Sequence, residues 1–243
     1  MPSTASWLAG ASVAITGADR PPGRAISASF ASHGVDLALM GTSTAALGTT
    51  ADEVSRIRAL HQNEATPLLI DGDAATPEGM ATLERSAVAT FGPLDALVHV
   101  VEISEPAVLA ATTAAVLAVA GRGLISQGGS LVIAVLAGPW RPAAQANGLA
   151  ETTSALEGMV RGAARAWHGR VAVNGVVLEA NGAPQTRALG FEAFSRAALP
   201  TAVAPQTGDF DQAARVIRFL ASREAQALTG QTLTVGRTLA EAA

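Results

Sequence analysis

The chain contains no cysteine, no tyrosine and no lysine. Without cysteine there are no disulfides, no thiolate nucleophile and no thiolate metal site. Without tyrosine no phenol can act as a general acid. Without lysine no side-chain ammonium can lower a neighbour's pKa or form a Schiff base. All 16 basic residues are therefore arginines. Aromatic residues make up only 4% of the chain, and charges of both signs are scattered to a net −4. With no basic block and no aromatic-interleaved patch, a nucleic-acid partner is not expected. No apolar run is long enough to span a bilayer without Gly, Pro or charge, and residues 1–10 lack a basic segment followed by an apolar one. A cytoplasmic protein with no membrane association is the expectation. His33, His61, His99 and His168 do not have ligand spacing, so no metal site is expected.

What is present is a hydrophobic chain of 243 residues, 49% apolar, long enough for one large core. A single domain over 1–243 is expected. Short aliphatic runs alternate with helical periodicity, the pattern of β-α-β units in a parallel sheet. Strands are predicted at 13–16, 37–40, 68–70, 96–101, 130–135, 171–178 and 231–235. Helices are predicted at 23–33, 44–62, 77–91, 106–120, 146–167 and 211–221. Thr76-Pro77-Glu78 is a good helix start, with a hydroxyl cap, a proline in the first turn and an acid beside it. The stretch 182–208 is the least regular, with a short helix predicted at 186–197.

The first unit, Val13-Ala14-Ile15-Thr16-Gly17-Ala18-Asp19-Arg20-Pro21-Pro22-Gly23, runs from an apolar strand through a glycine turn into a helix. That layout offers a helix N-terminus to a pyrophosphate. Two of its residues, Pro21 and Pro22, carry no N–H. The stretch resembles the T-G-x-x-x-G-x-G opening of the short-chain dehydrogenase/reductase family, with Thr16, Gly17 and Gly23 matching and Pro21 standing for the middle glycine. The resemblance continues through Gly128-Gly129-Ser130, Gly158-Met159-Val160-Arg161, Val173-Asn174-Gly175-Val176, Ala221-Ser222 and Thr229-Gly230-Gln231. It implies a Rossmann-like doubly wound α/β domain with a seven-stranded parallel sheet, and nicotinamide-dependent hydride chemistry.

The same resemblance locates departures. Met40-Gly41-Thr42-Ser43 follows the second strand, where the family places an acid or an arginine to read the adenosine ribose. Asp71 matches the family's aspartate after the third strand. His99-Val100-Val101-Glu102 stands where the family reads N-N-A-G. Leu136 takes the place of the catalytic serine, Leu149 that of the tyrosine and Thr153 that of the lysine. Gly17, Gly23 and Asp71 are thus the retained cofactor-binding positions, and binding of NAD(P) is expected to be weak or lost.

From these departures the expectation is a non-catalytic subunit pairing with an active short-chain dehydrogenase in a hetero- or homo-oligomer, built through the small-residue segments 107–121 and 143–166. One alternative is a non-redox enzyme, of cyclase, isomerase or hydratase type, using His99 and Glu102 as an acid/base pair with Arg141, Glu151 and Glu179 nearby. Another is a small-molecule-binding regulatory module. Three residues apart on a strand, His99 and Glu102 face opposite ways unless the strand has ended.

Overall fold

The computed structural model describes residues 8, 10–103, 106–137, 145–179 and 210–235. They form a single Rossmann-like α/β domain. Its seven parallel strands are β1 (Ser12–Thr16), β2 (Asp36–Gly41), β3 (Leu68–Asp71), β4 (Leu94–Ile103), β5 (Ile125–Ala137), β6 (Val171–Glu179) and β7 (Thr232–Val235). The six helices are α1 (Pro21–Ala31), α2 (Thr44–Leu60), α3 (Pro77–Phe91), α4 (Pro106–Val119), α5 (Gln145–Ala166) and α6 (Asp211–Leu220). The sheet order is β3-β2-β1-β4-β5-β6-β7. The order reverses between β1 and β4, which opens a crevice beyond their carboxyl ends, where doubly wound sheets bind ligands.

Strand alternation divides the core. Val13 and Ile15 of β1, Leu37 and Leu39 of β2, and Val98 of β4 pack with α1, α2 and α6 through Ile26, Phe30, Leu47 and Ile217. Ala14, Ala38, Met40, Leu97 and Ile133 face α3, α4 and α5, where they meet Leu83, Leu109, Val116, Leu156 and Val160. Most of these side chains are fully buried, and each large one stabilises the fold by about 1.5–3 kcal/mol relative to exposure.

Most boundaries shift by a residue or two from the sequence reading, and two of the shifts have a clear local reason. Helix α1 starts at Pro21, because proline at N1 and N2 lacks an N–H that no helical carbonyl would have accepted. Strand β5 starts at Ile125, with a register shift between the pairings Leu94↔Ile125 and Ala96↔Ser130. Gly128, at φ +82°, carries the chain through that irregularity. The predicted helix at 186–197, like all of 182–208, lies outside the described residues.

A cavity of about 320 Å³ lies at the opposite, amino end of the strands, between Pro93, Ile125, Gln127, Trp167 and Arg170. It is remote from the β1/β4 crevice. No described helix is long and apolar enough to cross a membrane.

Candidate functional site

The turn after β1 is built by backbone closeness. Gly17 has φ +66°, and a Cβ there would lie 2.6 Å from the Val100 carbonyl oxygen. A Cβ on Gly23 would lie 2.1 Å from the Gly17 carbonyl oxygen, so the first turn of α1 sits directly on the strand-to-helix turn. The Ala18 N–H donates to the Met40 carbonyl at 2.9 Å, and Thr50 Oγ1 donates to the Ala18 carbonyl at 2.8 Å. These contacts tie the turn to β2 and α2. Arg20 is the extended N-cap residue of α1 and makes no side-chain cap. Because Pro21 and Pro22 follow it, Gly23 holds the first backbone N–H of the helix.

Asp19 reaches from this turn over the end of β2. Its Oδ2 accepts from the backbone N–H groups of Thr42 at 3.0 Å and Ser43 at 3.1 Å, and from Thr42 Oγ1 at 3.3 Å. The carboxylate lies against Gly41, where a Cβ would come within 2.5 Å of it. Gly41 pairs with Asp71 of β3, whose Oδ2 accepts from Thr44 Oγ1 at 3.4 Å. Two carboxylates and three hydroxyl-bearing residues therefore share this corner.

On the other side of the crevice, Arg20 Nη1 meets Glu102 Oε2 of β4 at 2.9 Å, with both side chains about half exposed. His99, three residues before Glu102, is 2% exposed and belongs to the interior. Its Nδ1 lies 2.8 Å from Thr16 Oγ1, which also accepts from the Val100 N–H at 3.3 Å. The arrangement that satisfies all three groups has the hydroxyl donating to Nδ1, which places the ring proton on Nε2. That nitrogen is buried with no partner among the described residues. Burial pushes the imidazole down to about 4, so it is neutral near pH 7.

The structure does not bring His99 and Glu102 together as an acid/base pair. Extended β4 sends one inward to Thr16 and lets the other reach Arg20. Leu136, at the serine position of the resemblance, packs in the layer of α1 and α6 with Val132 and Ala134, because even-numbered β5 residues face that side. Thr153 is half-buried and Glu151 exposed on α5, which covers the other face. Leu149 and Glu179 lie within α5 and β6, but their side chains, like all of Arg141, lie outside the described residues. Gly17 and Gly23 build the turn after β1, against Val100 of β4, and Asp71 ends β3 beside Gly41 of β2. Sequence reasoning missed Asp19. The available signal was a glycine at 41, where a side chain was sought, with an aspartate in the facing turn. No group of three or more His, Asp or Glu among the described residues could hold a metal.

A doubly wound sheet with a glycine-built turn at its switch point defines a dinucleotide-type domain. The chain belongs to the short-chain dehydrogenase/reductase family, since residues 17–237 match the family model described as enoyl-(acyl carrier protein) reductase. No curated protein matches the chain by sequence. Among solved structures, it is similar to a dehydrogenase/reductase from Sinorhizobium meliloti 1021, at 23% identity and TM-score 0.70 over 96% of each chain. It is similar to a short-chain dehydrogenase/reductase from Serratia marcescens BCRC 10948, at 23% identity and TM-score 0.69 over 94% of this chain and 97% of that one. It is also similar to a dehydrogenase from Burkholderia cenocepacia solved with bound NADP, at 22% identity and TM-score 0.70 over 97% and 96%. At these identities the likeness carries the fold.

Two expectations from the sequence are corrected by this membership. The non-catalytic subunit, with its non-redox and regulatory alternatives, gives way to a member of a reductase family whose structural neighbours are dehydrogenases and reductases. The expectation of no cofactor is overturned by the same family match and by the NADP-bound neighbour. Physically, the missing residues had been weighed as missing function, whereas the turn keeps its glycine-on-backbone contacts. The prolines occupy helix positions whose N–H groups have no partner within the helix.

Proposed function

We propose that this chain is a nicotinamide-dinucleotide-dependent oxidoreductase that reduces an α,β-unsaturated acyl thioester. The observation that carries the reading is the close packing of Gly23 on the Gly17 carbonyl, which seats the N-terminus of α1 on the β1 turn beside the β1/β4 crevice. A helix N-terminus held at that switch point offers its dipole and first free N–H groups to a pyrophosphate. With two prolines at the start of α1, the donors left for phosphate are the Gly23 N–H and the Arg20 guanidinium, which suits a phosphate bidentately. Asp71 and the hydroxyls of Thr42, Ser43 and Thr44 border the place of the adenosine end.

We read the chain as a member in which Leu136, Leu149 and Thr153 fill the serine, tyrosine and lysine positions. A bound reduced nicotinamide supplies the hydride. That hydride would go to the β-carbon of the enoyl thioester and the α-carbon would take a proton from water, giving the saturated thioester and hydroxide. This route requires neither a phenol nor an ammonium, and the chain has neither. Support for the enoyl substrate class comes from the matched family.

The test is titration of the purified chain with NADH and NADPH by calorimetry, followed by nicotinamide absorbance in the presence of a crotonyl thioester. Saturable binding with consumption of the reduced nucleotide is expected. Absence of saturable binding of both nucleotides overturns the reading.

A further inference from the structure

We infer that Asp19 selects the dinucleotide, admitting one with free adenosine ribose hydroxyls and rejecting one with a 2′-phosphate. This rests on the nucleotide-binding reading above. In doubly wound domains the residue after β2 meets the adenosine ribose, an acid accepting from its hydroxyls or an arginine holding the phosphate. Here β2 ends in Gly41 and offers neither. The Asp19 carboxylate lies over Gly41 instead, in the space a side chain at 41 would occupy.

Three features make this an acceptor corner. Asp19 is locked by the three donors from Thr42 and Ser43, all on Oδ2, and Oδ1 accepts no hydrogen bond from a described residue. That oxygen can accept from a ribose hydroxyl. Asp71, paired across β2/β3 with Gly41, adds a second negative charge. Arg20 reaches Glu102 across the crevice at 2.9 Å, where the reading above gives it to the pyrophosphate, and Arg24 is paired with Glu53 at 3.3 Å. A phosphate carrying close to two charges would enter a site holding two carboxylates, with the backbone N–H groups of Thr42 and Ser43 already used.

The experiment is calorimetric titration of the wild-type chain, Asp19→Asn and Asp19→Ser with NADH and NADPH, with circular dichroism as the folding check. Asparagine keeps an acceptor oxygen for the two N–H groups, removes the charge and puts an NH2 donor in the place of Oδ1. The wild type is expected to bind NADH at least about tenfold more tightly than NADPH, the size of effect a nearby like charge produces near a protein surface. In Asp19→Asn the gap should narrow severalfold through tighter NADPH binding, and Asp19→Ser should narrow it in the same direction. Equal or tighter NADPH binding by the wild type overturns the inference and leaves the nucleotide reading standing. An unchanged ratio in a folded Asp19→Asn overturns the assignment to Asp19. If neither nucleotide binds the wild type, the reading and the inference fall together.

Discussion

Arg20 of the β1 turn and Glu102 near the end of β4 form an ion pair of 2.9 Å that joins the two sides of the β1/β4 crevice. They are 82 residues apart in the chain. If the chain binds a dinucleotide as proposed, its phosphate would compete with Glu102 for the guanidinium. Glu102→Gln should raise nucleotide affinity severalfold by freeing Arg20 and removing a like charge, and Arg20→Gln should lower it about tenfold or more. With both partners about half exposed, the pair itself is worth at most about 1 kcal/mol. Calorimetric titration of both variants, beside denaturant unfolding that shows little change, is the check. Weaker binding in Glu102→Gln would contradict the competition.

The turn should tolerate no side chain at Gly23. Gly23→Ala drives a methyl to 2.1 Å from the Gly17 carbonyl oxygen, a backbone atom that cannot swing aside. A loss of about 1–3 kcal/mol or more is expected in urea unfolding. Gly34→Ala is the comparison: φ is +71° with nothing within 4 Å, so the cost is backbone strain alone, about 1 kcal/mol. Equal losses at the two sites would contradict the close-approach account.

His99 should make stability fall with acid. Its folded pKa of about 4 lies below the ordinary 6.5, so between these values the unfolded chain binds a proton that the folded chain does not. The contribution is present above pH 6.5, declines as pH falls, and is lost by about pH 4. The whole effect is roughly 3 kcal/mol. His33, lowered mainly by burial and then by the Arg218 charge, adds in the same sense. Urea unfolding from pH 7 to 4 should therefore show a shallower slope in His99→Asn than in the wild type. An unchanged slope would place the acid sensitivity elsewhere.

Arg58 should be a stability residue remote from the site. Fully buried on α2, it donates through Nη1 to the Ala65 carbonyl at 2.6 Å and through Nη2 to the Val35 carbonyl. It thereby ties the helix to the chain entering β2 and β3. Arg58→Leu keeps much of the packing and leaves the buried Val35 carbonyl without this donor, which should cost about 1–3 kcal/mol in thermal or urea unfolding. Nucleotide affinity of the folded fraction should not change.

The fold was largely legible because it is written in local patterns. Apolar runs of strand length alternating with amphipathic stretches placed all seven strands and six helices, and α3 falls at its predicted bounds because Thr76 caps it and Gly92 follows its last residue. The site was less legible, since its residues meet through space. Leu136 and Thr153 were aligned to one catalytic centre, yet alternation along β5 turns Leu136 into the α1/α6 layer, while Thr153 rides on α5, across the sheet.

By itself the sequence determined the architecture, the glycine turn and the exclusion of phenol, ammonium and thiolate chemistry, because composition and periodicity are properties of the chain alone. Only the tertiary structure decided that Asp19 occupies the place left by Gly41, that Arg20 reaches Glu102, and that His99 is buried and neutral. Those outcomes depend on which strands lie side by side and where each side chain's nearest donor, charge or solvent is found. No local pattern carries that information.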